Sequence, residues 1–193
     1  PILMPFNRII DPAGEQIYFG DEDKENHALD CAASPDGKWL AIEGRLSIVI
    51  VEPKSKKIVS RFVLNSFFGK EDVVNTFSGI SWRKNGNNYE LYWSGVGDNG
   101  KSYVIQAEWN GEKIAILKTF NFGPVSPAET ALPNELFVAE ESGHSVLYVV
   151  LNGNNTIEKL DINTGKTIWS VPAGVAPFGI TAAKGKLYVS NWA

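Results

Sequence analysis

A glycine turn followed closely by an apolar strand recurs along this chain, and this repeat restricts the fold more than any other feature. The turns lie in "SPDGKWLAIE" (Gly37), "RKNGNNYELYWSG" (Gly86), "ESGHSVLYVVLN" (Gly143) and "AKGKLYVSN" (Gly185). Their spacing of roughly 40 to 57 residues is the size of a four-stranded propeller blade. Glycine tolerates the positive φ that tight hairpin turns require, so the pattern predicts a series of antiparallel hairpins.

A second repeated unit lies about half a period downstream of the first. "IVIVEPKSKKIVSRF" (48–62) aligns without a gap with "IEKLDINTGKTIWSV" (157–171), and "YVIQAEWNGEKIAIL" (103–117) is a looser third copy. Each copy has a strand, a polar turn and another strand. Because helical signals are nearly absent, we predict an all-β chain that forms a β-propeller of four-stranded antiparallel blades.

Assembling the repeats predicts three full blades with half a blade at each end. We expect full blades at about 27–65, 76–122 and 133–172, and half blades at 6–20 and 176–193. In the first half blade, "RIIDPAGEQIYFG" (8–20) predicts a strand, a tight turn and a second strand. The two halves could close a four-bladed ring, or the chain could be a fragment of a seven-bladed ring. Because four blades are the lower limit of this architecture, we expect the larger ring.

Charge and composition exclude several classes of partner. The net charge is −4, and no cluster of Lys and Arg is present, so we expect no nucleic-acid partner. The uncharged apolar runs, such as 47–51 and 146–151, are far too short to cross a bilayer, so we expect no transmembrane segment. The one cysteine, Cys31, excludes an internal disulfide, and its position among alanines on a predicted inner strand predicts a buried thiol.

The residues that could support catalysis or bind a metal are few. The two histidines, His27 and His144, fall at different places in the repeat, so a shared metal is not expected. The run "GDEDKEN" (20–26) carries Asp21, Glu22, Asp23 and Glu25, which are possible Ca²⁺ ligands but lack the spacing of a calcium loop. Neither a phosphate loop nor a Gly-x-Ser-x-Gly motif is present. We therefore expect no catalytic residue, no metal site and no cofactor.

The rim of the central channel is the expected ligand-binding region. Loops at one end of a rigid ring are the usual binding surface of such a fold. The repeat alignment brings 27–30, 76–79 and 177–179 to this rim. The predicted ligand-binding residues are His27, Asp30, Ser78 and Phe178.

Two motifs carry a resemblance to a known family. "APFGITAAKGKLYVSNW" (176–192) resembles the repeat of YVTN-type β-propellers, and "SPDG" (34–37) matches the turn of that family. "NHALDCAASPDGKWLAIE" (26–43) is similar to a subgroup of secreted bacterial proteins, common in Bacteroidetes, in which a propeller precedes a phosphoesterase domain of the alkaline-phosphatase superfamily. The resemblance implies an exported protein, periplasmic, cell-surface or secreted, with its phosphoesterase domain beyond residue 193.

Three functional hypotheses follow. The first is a non-catalytic recognition or scaffold module that binds a protein or a small molecule. The second is a lactonase-like propeller hydrolase with a divalent cation in the channel, to which Asp30 and Asn26 could contribute ligands. The third is a purely structural surface module.

Overall fold

The computed structural model confirms an all-β fold in which four-stranded antiparallel sheets follow one another along the chain. It describes residues 2–4, 7–11, 13–20, 27–69, 72–98 and 100–193. In each large sheet the strands lie in chain order, with the first strand at one edge and the last at the other. This up-and-down order is the arrangement of a propeller blade.

Three sheets are complete blades, and two strand pairs accompany them. The first blade contains β3 (Ala28–Ala33), β4 (Leu40–Gly44), β5 (Ser47–Glu52) and β6 (Lys57–Val63). The second contains β7 (Val73–Asn85), β8 (Asn88–Gly97), β9 (Ser102–Trp109) and β10 (Ile114–Phe122). The third contains β11 (Pro133–Glu141), β12 (His144–Leu151), β13 (Thr156–Asp161) and β14 (Thr167–Pro172). The pairs are β1 (Ile2–Met4) with β2 (Arg8–Ile10), and β15 (Pro177–Ala183) with β16 (Lys186–Asn191); one short helix, α1 (Asn65–Phe68), follows β6.

The first strand pair differs from the sequence expectation. We predicted that the strand near Arg8 would be followed by a turn and a second strand before Gly20. Instead β2 pairs with β1, which precedes it, and residues 13–20 contain no strand. The stretch 15–19 has only alternate half-buried side chains and pairs with no described strand, so its apolar alternation was a weak signal.

The blades pack face to face through their apolar side chains. β8 shows the pattern: Leu91 and Trp93 pack toward the first blade, whereas Tyr92, which lies between them, packs toward the third. β12 repeats it, with Leu147 facing the second blade and Tyr148 facing β15 and β16. Because central strands are covered on both faces, their sequences are nearly continuous apolar runs rather than alternating ones.

The innermost strands of successive sheets contact one another. β3 contacts β7, β7 contacts β11, and β11 contacts β15. At the β7–β11 contact, Gly79 has a φ of +109° and a side chain there would be blocked, because an added Cβ would lie 2.0 Å from the carbonyl oxygen of Asn134. The hydroxyl of Ser94 donates to the same oxygen at 2.7 Å. Only glycine permits this close approach of two blades.

A buried polar network also joins the second and third blades. The Arg83 guanidinium pairs with Glu90 (Nη1–Oε2 3.1 Å) and with Glu140 on β11 (Nη2–Oε1 3.0 Å). Asn85 and Gln106 donate to the Glu90 carboxylate as well, at 2.8 and 3.1 Å. Hydrogen bonding and the nearby guanidinium keep the pKa of Glu90 below its usual value even though burial opposes this. The ionised Glu90 carboxylate, which Arg83, Asn85 and Gln106 all contact, is therefore a well-paired charge at the interblade contact.

Candidate functional site

Each inner strand has an irregular register near its start, and the predicted rim residues lie at these points. The pairing shifts between Ala28 and Asp30 in β3, Asn75 and Ile80 in β7, Pro133 and Leu136 in β11, and Pro177 and Ile180 in β15. Such bulges redirect side chains and are common beside functional sites. Asp30, Ser78 and Phe178 lie within these irregular segments, and His27 immediately precedes β3. We call the starts of these inner strands the rim.

Two of the predicted rim residues come together, at the contact between the first and second blades. Asp30 Oδ2 accepts a hydrogen bond from the Gly79 amide at 3.0 Å, which places Ser78 next to this contact. Asp30 Oδ1 accepts a second bond, from the Cys31 amide, at 2.7 Å. The Ser78 hydroxyl is buried and has no hydrogen-bond partner within the described part of the chain.

A group of three carboxyl side chains surrounds this contact. Glu43 on β4 lies opposite Asp30 in the strand register, and Glu135 follows Asn134 in the bulge of β11. Burial raises the pKa of Glu43 well above its usual value, and the charges of Asp30 and Glu135 raise it further. Burial and the charge of Asp30 also raise the pKa of Glu135, to about 7. We call Asp30, Glu43 and Glu135 the carboxyl cluster.

Of these three residues, the sequence predicts only Asp30 as part of a site. Glu43 ends an otherwise apolar strand, a position that is usually solvent-exposed, yet its side chain is 0% exposed. Glu135 lies in the third repeat, where the segment "NELFVAEESG" (134–143) differs from the inner-strand segments of the other repeats. The alternation of side chains along β4 was the one indication that Glu43 is buried, because Ala41 and Glu43 share the face that packs on the second blade.

Phe178 lies apart from the carboxyl cluster and belongs to an aromatic group. Its ring stacks on Trp192, with ring centres 4.5 Å apart and planes 19° apart. Phe77 on β7 approaches the same indole at 5.9 Å. Trp192 is 62% exposed and Phe77 is 53% exposed, although the Trp192 amide is fixed by a 2.9 Å hydrogen bond to the Ala176 carbonyl. We call Phe77, Phe178 and Trp192 the aromatic trio.

A cavity of about 160 Å³ opens beside the aromatic trio at the first two blades, and His27 lines it. Its wall also includes Leu29, Arg45, Thr76 and Phe77. Asn75 orders this wall, because its amide Nδ2 donates to the Gly44 carbonyl at 2.6 Å and its backbone N–H donates to the Arg45 carbonyl at 2.9 Å. The predicted rim residues are thus divided between a cavity, a carboxyl cluster and an aromatic surface.

The remaining candidates are placed as follows. His27 precedes the inner strand β3, whereas His144 begins β12 after the turn that ends β11, and His144 is exposed. The prediction for Cys31 was wrong, because its thiol is exposed. Along β3 the Asp30 and Ala32 side chains face the second blade, so Cys31, between them, points to the opposite face of the sheet. The acidic run 21–26 lies outside the described residues, and so does Asn26.

The described residues contain neither a metal-binding cluster nor a membrane-spanning helix. Within the described ranges, no three His, Cys, Asp or Glu side chains lie close enough together to bind one metal ion. Nor does any helix in the part of the chain that the structure describes have the length and apolar character needed to cross a bilayer.

The sheets and their packing define a β-propeller fold. No protein-family model matches the sequence, and neither does any curated protein. A protein of unknown function from Bacteroides caccae is similar in structure, with a TM-score of 0.57 and 13% identity over 86% of this chain and 54% of the other. A chain of a nidogen–laminin complex has a TM-score of 0.56 and 20% identity over 82% of this chain and 54% of its own length.

A functionally unknown protein from Desulfotomaculum acetoxidans is also similar, with a TM-score of 0.54 and 14% identity over 85% of this chain and 49% of that chain. This chain therefore spans about half the length of the structures it resembles. At these identities the likeness shows the fold alone.

Proposed function

We propose that this chain is a non-catalytic recognition module that binds a protein partner through the aromatic trio. The supporting observation is that two large aromatic side chains, Phe77 and Trp192, are more than half exposed yet are held in place by packing and by a backbone hydrogen bond. Tyr, Trp and Phe are enriched where proteins bind each other, and a fixed ring loses little conformational entropy on binding.

The ligand we propose is an extended segment that places an apolar side chain against the trio. The neighbouring cavity of about 160 Å³ is large enough for one further side chain, since a water molecule occupies about 30 Å³. Arg45 and His27 in its wall favour a side chain with a carboxylate. Binding of this kind requires no cofactor. The structural neighbour in the nidogen–laminin complex supports a protein partner over a small molecule.

The wider setting is also part of the proposal. We infer that the propeller is of the YVTN type, that the parent protein is exported, and that a phosphoesterase domain follows the propeller. The motifs at 26–43 and 176–192 support this. On this view the propeller recruits or positions a partner, while the chemistry belongs to the other domain.

Selection of peptides from a displayed library on the immobilised protein tests the proposal. Selected peptides should carry an apolar residue near an acidic one, and the double variant Phe77→Ser with Trp192→Ser should weaken their binding at least about tenfold, as expected for hot-spot aromatics. Ile168→Ser is the matched control, because Ile168 is 52% exposed on the outer strand β14. Failure to select any peptide, or equal binding by the double variant and the control, would contradict the proposal.

A further inference from the structure

Glu43 is a fully buried carboxyl group without a hydrogen-bond partner among the described residues. Its side chain is 0% exposed, and neither carboxyl oxygen has a hydrogen-bond partner in the part of the chain that the structure describes. It lies between the first and second blades, on the face it shares with Ala41. A charged carboxylate in such a place would cost several kcal/mol or more, unless it were paired or bound a cation.

The neighbours of Glu43 determine which carboxyl group carries a charge. Asp30, whose carboxylate accepts two backbone hydrogen bonds, lies opposite Glu43 in the strand register. Burial and the charges of Asp30 and Glu135 raise the pKa of Glu43 well above its usual value, so Glu43 holds a proton. Glu135 is held partly protonated near neutral pH by burial and by Asp30. The other elements at this contact add no charge, because Thr76–Gly79 of β7 and Ser94 of β8 carry no group that titrates in this range.

We propose that the carboxyl cluster makes the contact between the inner strands of the first three blades depend on protonation. The strands are held together when Glu43 and Glu135 are protonated, and the contact loosens when these protons are lost. β7 is the strand that would respond. Its Gly79 binds Asp30 through the amide and contacts the Asn134 carbonyl, next to Glu135, through its Cα. This role is independent of the proposed recognition surface.

The sign of the pH effect follows from the raised pKa values. In the unfolded chain both glutamates ionise near 4.5, whereas in the folded protein they keep their protons to higher pH. The stabilisation is therefore complete below about pH 4.5 and is lost as the pH rises. For Glu135 the loss extends to about pH 7, and for Glu43 it extends well above pH 4.5.

Thermal unfolding midpoints between pH 4.5 and 9 test this inference. Each of the variants Glu135→Gln and Glu43→Gln should lose part of the fall in midpoint that begins near pH 4.5, and the part lost from Glu135→Gln should end at about pH 7, since glutamine is neutral at every pH. Glu112→Gln, at an exposed turn, is the control and should follow the wild-type profile. Profiles of the Glu43 and Glu135 variants that run parallel to the wild type would overturn the proposal.

Infrared spectroscopy of the native protein gives a second readout that does not depend on the stability of a variant. At pH 7 the wild type should show a carboxylic-acid C=O band, which weakens as the pH is raised. The band should be weaker in the Glu43→Gln spectrum and absent from that of the double variant Glu43→Gln with Glu135→Gln, if these variants fold. Absence of the band from the wild type would overturn the proposal. So would a rise in the wild-type midpoint at pH 8 with Ca²⁺ but not with NaCl of equal ionic strength, because the cluster would then bind a cation.

Discussion

Replacing Gly79 with alanine should separate the second and third blades. The added Cβ would lie 2.0 Å from the Asn134 carbonyl oxygen and 2.8 Å from the Ser94 hydroxyl. An ordinary contact requires about 3.5 Å, so β7 and β11 would have to move apart by about 1.5 Å. Both obstructing atoms are held in place, one by the backbone of β11 and the other by its 2.7 Å hydrogen bond to Asn134.

The expected loss in the free energy of unfolding of Gly79→Ala is the sum of three contributions. Overpacking of a tight contact costs about 1–3 kcal/mol, and a non-glycine residue at a φ of +109° adds about 1–2 kcal/mol. Loss of the Ser94 hydrogen bond adds about 1 kcal/mol. The sum, about 3–6 kcal/mol, is a large share of the 5–15 kcal/mol that typically stabilises a domain.

Urea denaturation followed by tryptophan fluorescence is the assay, with Gly86→Ala as the matched control. Gly86 also has a positive φ, of +60°, but an added Cβ there would meet no atom within 4 Å. The control should therefore lose only about 1 kcal/mol. Equal losses for Gly79→Ala and Gly86→Ala would refute the close approach of the inner strands.

Three further changes should separate interblade contacts from surface ones, each measured as the free energy of unfolding in urea. Leu147→Ala, at a fully buried position between blades, should cost about 2–5 kcal/mol, whereas Ile168→Ala on the outer strand should cost about 0.5 kcal/mol or less; similar values would contradict the packing. Glu90→Ala should cost about 1–3 kcal/mol because it removes one of the two carboxylates that pair with Arg83 and leaves the Asn85 and Gln106 amides without this acceptor, and adding Arg83→Met should recover part of the loss; no recovery would contradict the pairing. Lys56→Ala, in an exposed ion pair, should change stability by less than about 1 kcal/mol, and a larger loss would contradict its surface placement.

The sequence predicted the strands well where local chemistry determines them. The turn glycines at 37, 86, 143 and 185 all have a positive φ, as the hairpin interpretation required. That requirement is local, because only a residue without a Cβ adopts such a conformation at little cost. The central apolar strands β8 and β12 of the second and third blades form continuous apolar runs because both of their faces are covered by neighbouring sheets.

The sequence predicted the rim less well because contacts between blades determine it. Cys31 and Glu43 show the difficulty: the thiol among alanines is exposed, and the glutamate at a strand end is buried. Strand alternation indicates that neighbouring side chains face opposite sides, but it does not say which side another blade will cover. The contact of Phe77 with Trp192 is equally hidden, since it joins residues more than a hundred positions apart.

Nuclear Overhauser spectroscopy tests most directly whether consecutive sheets pack as blades. The account predicts cross-peaks between the indole protons of Trp39 in the first blade and Trp109 in the second, whose ring centres are 5.4 Å apart. It also predicts cross-peaks between the Gly79 Hα protons and residues next to the Asn134 carbonyl in the third blade. A spectrum with the cross-strand peaks of each sheet but neither of these interblade peaks would contradict the propeller packing on which the proposals rest.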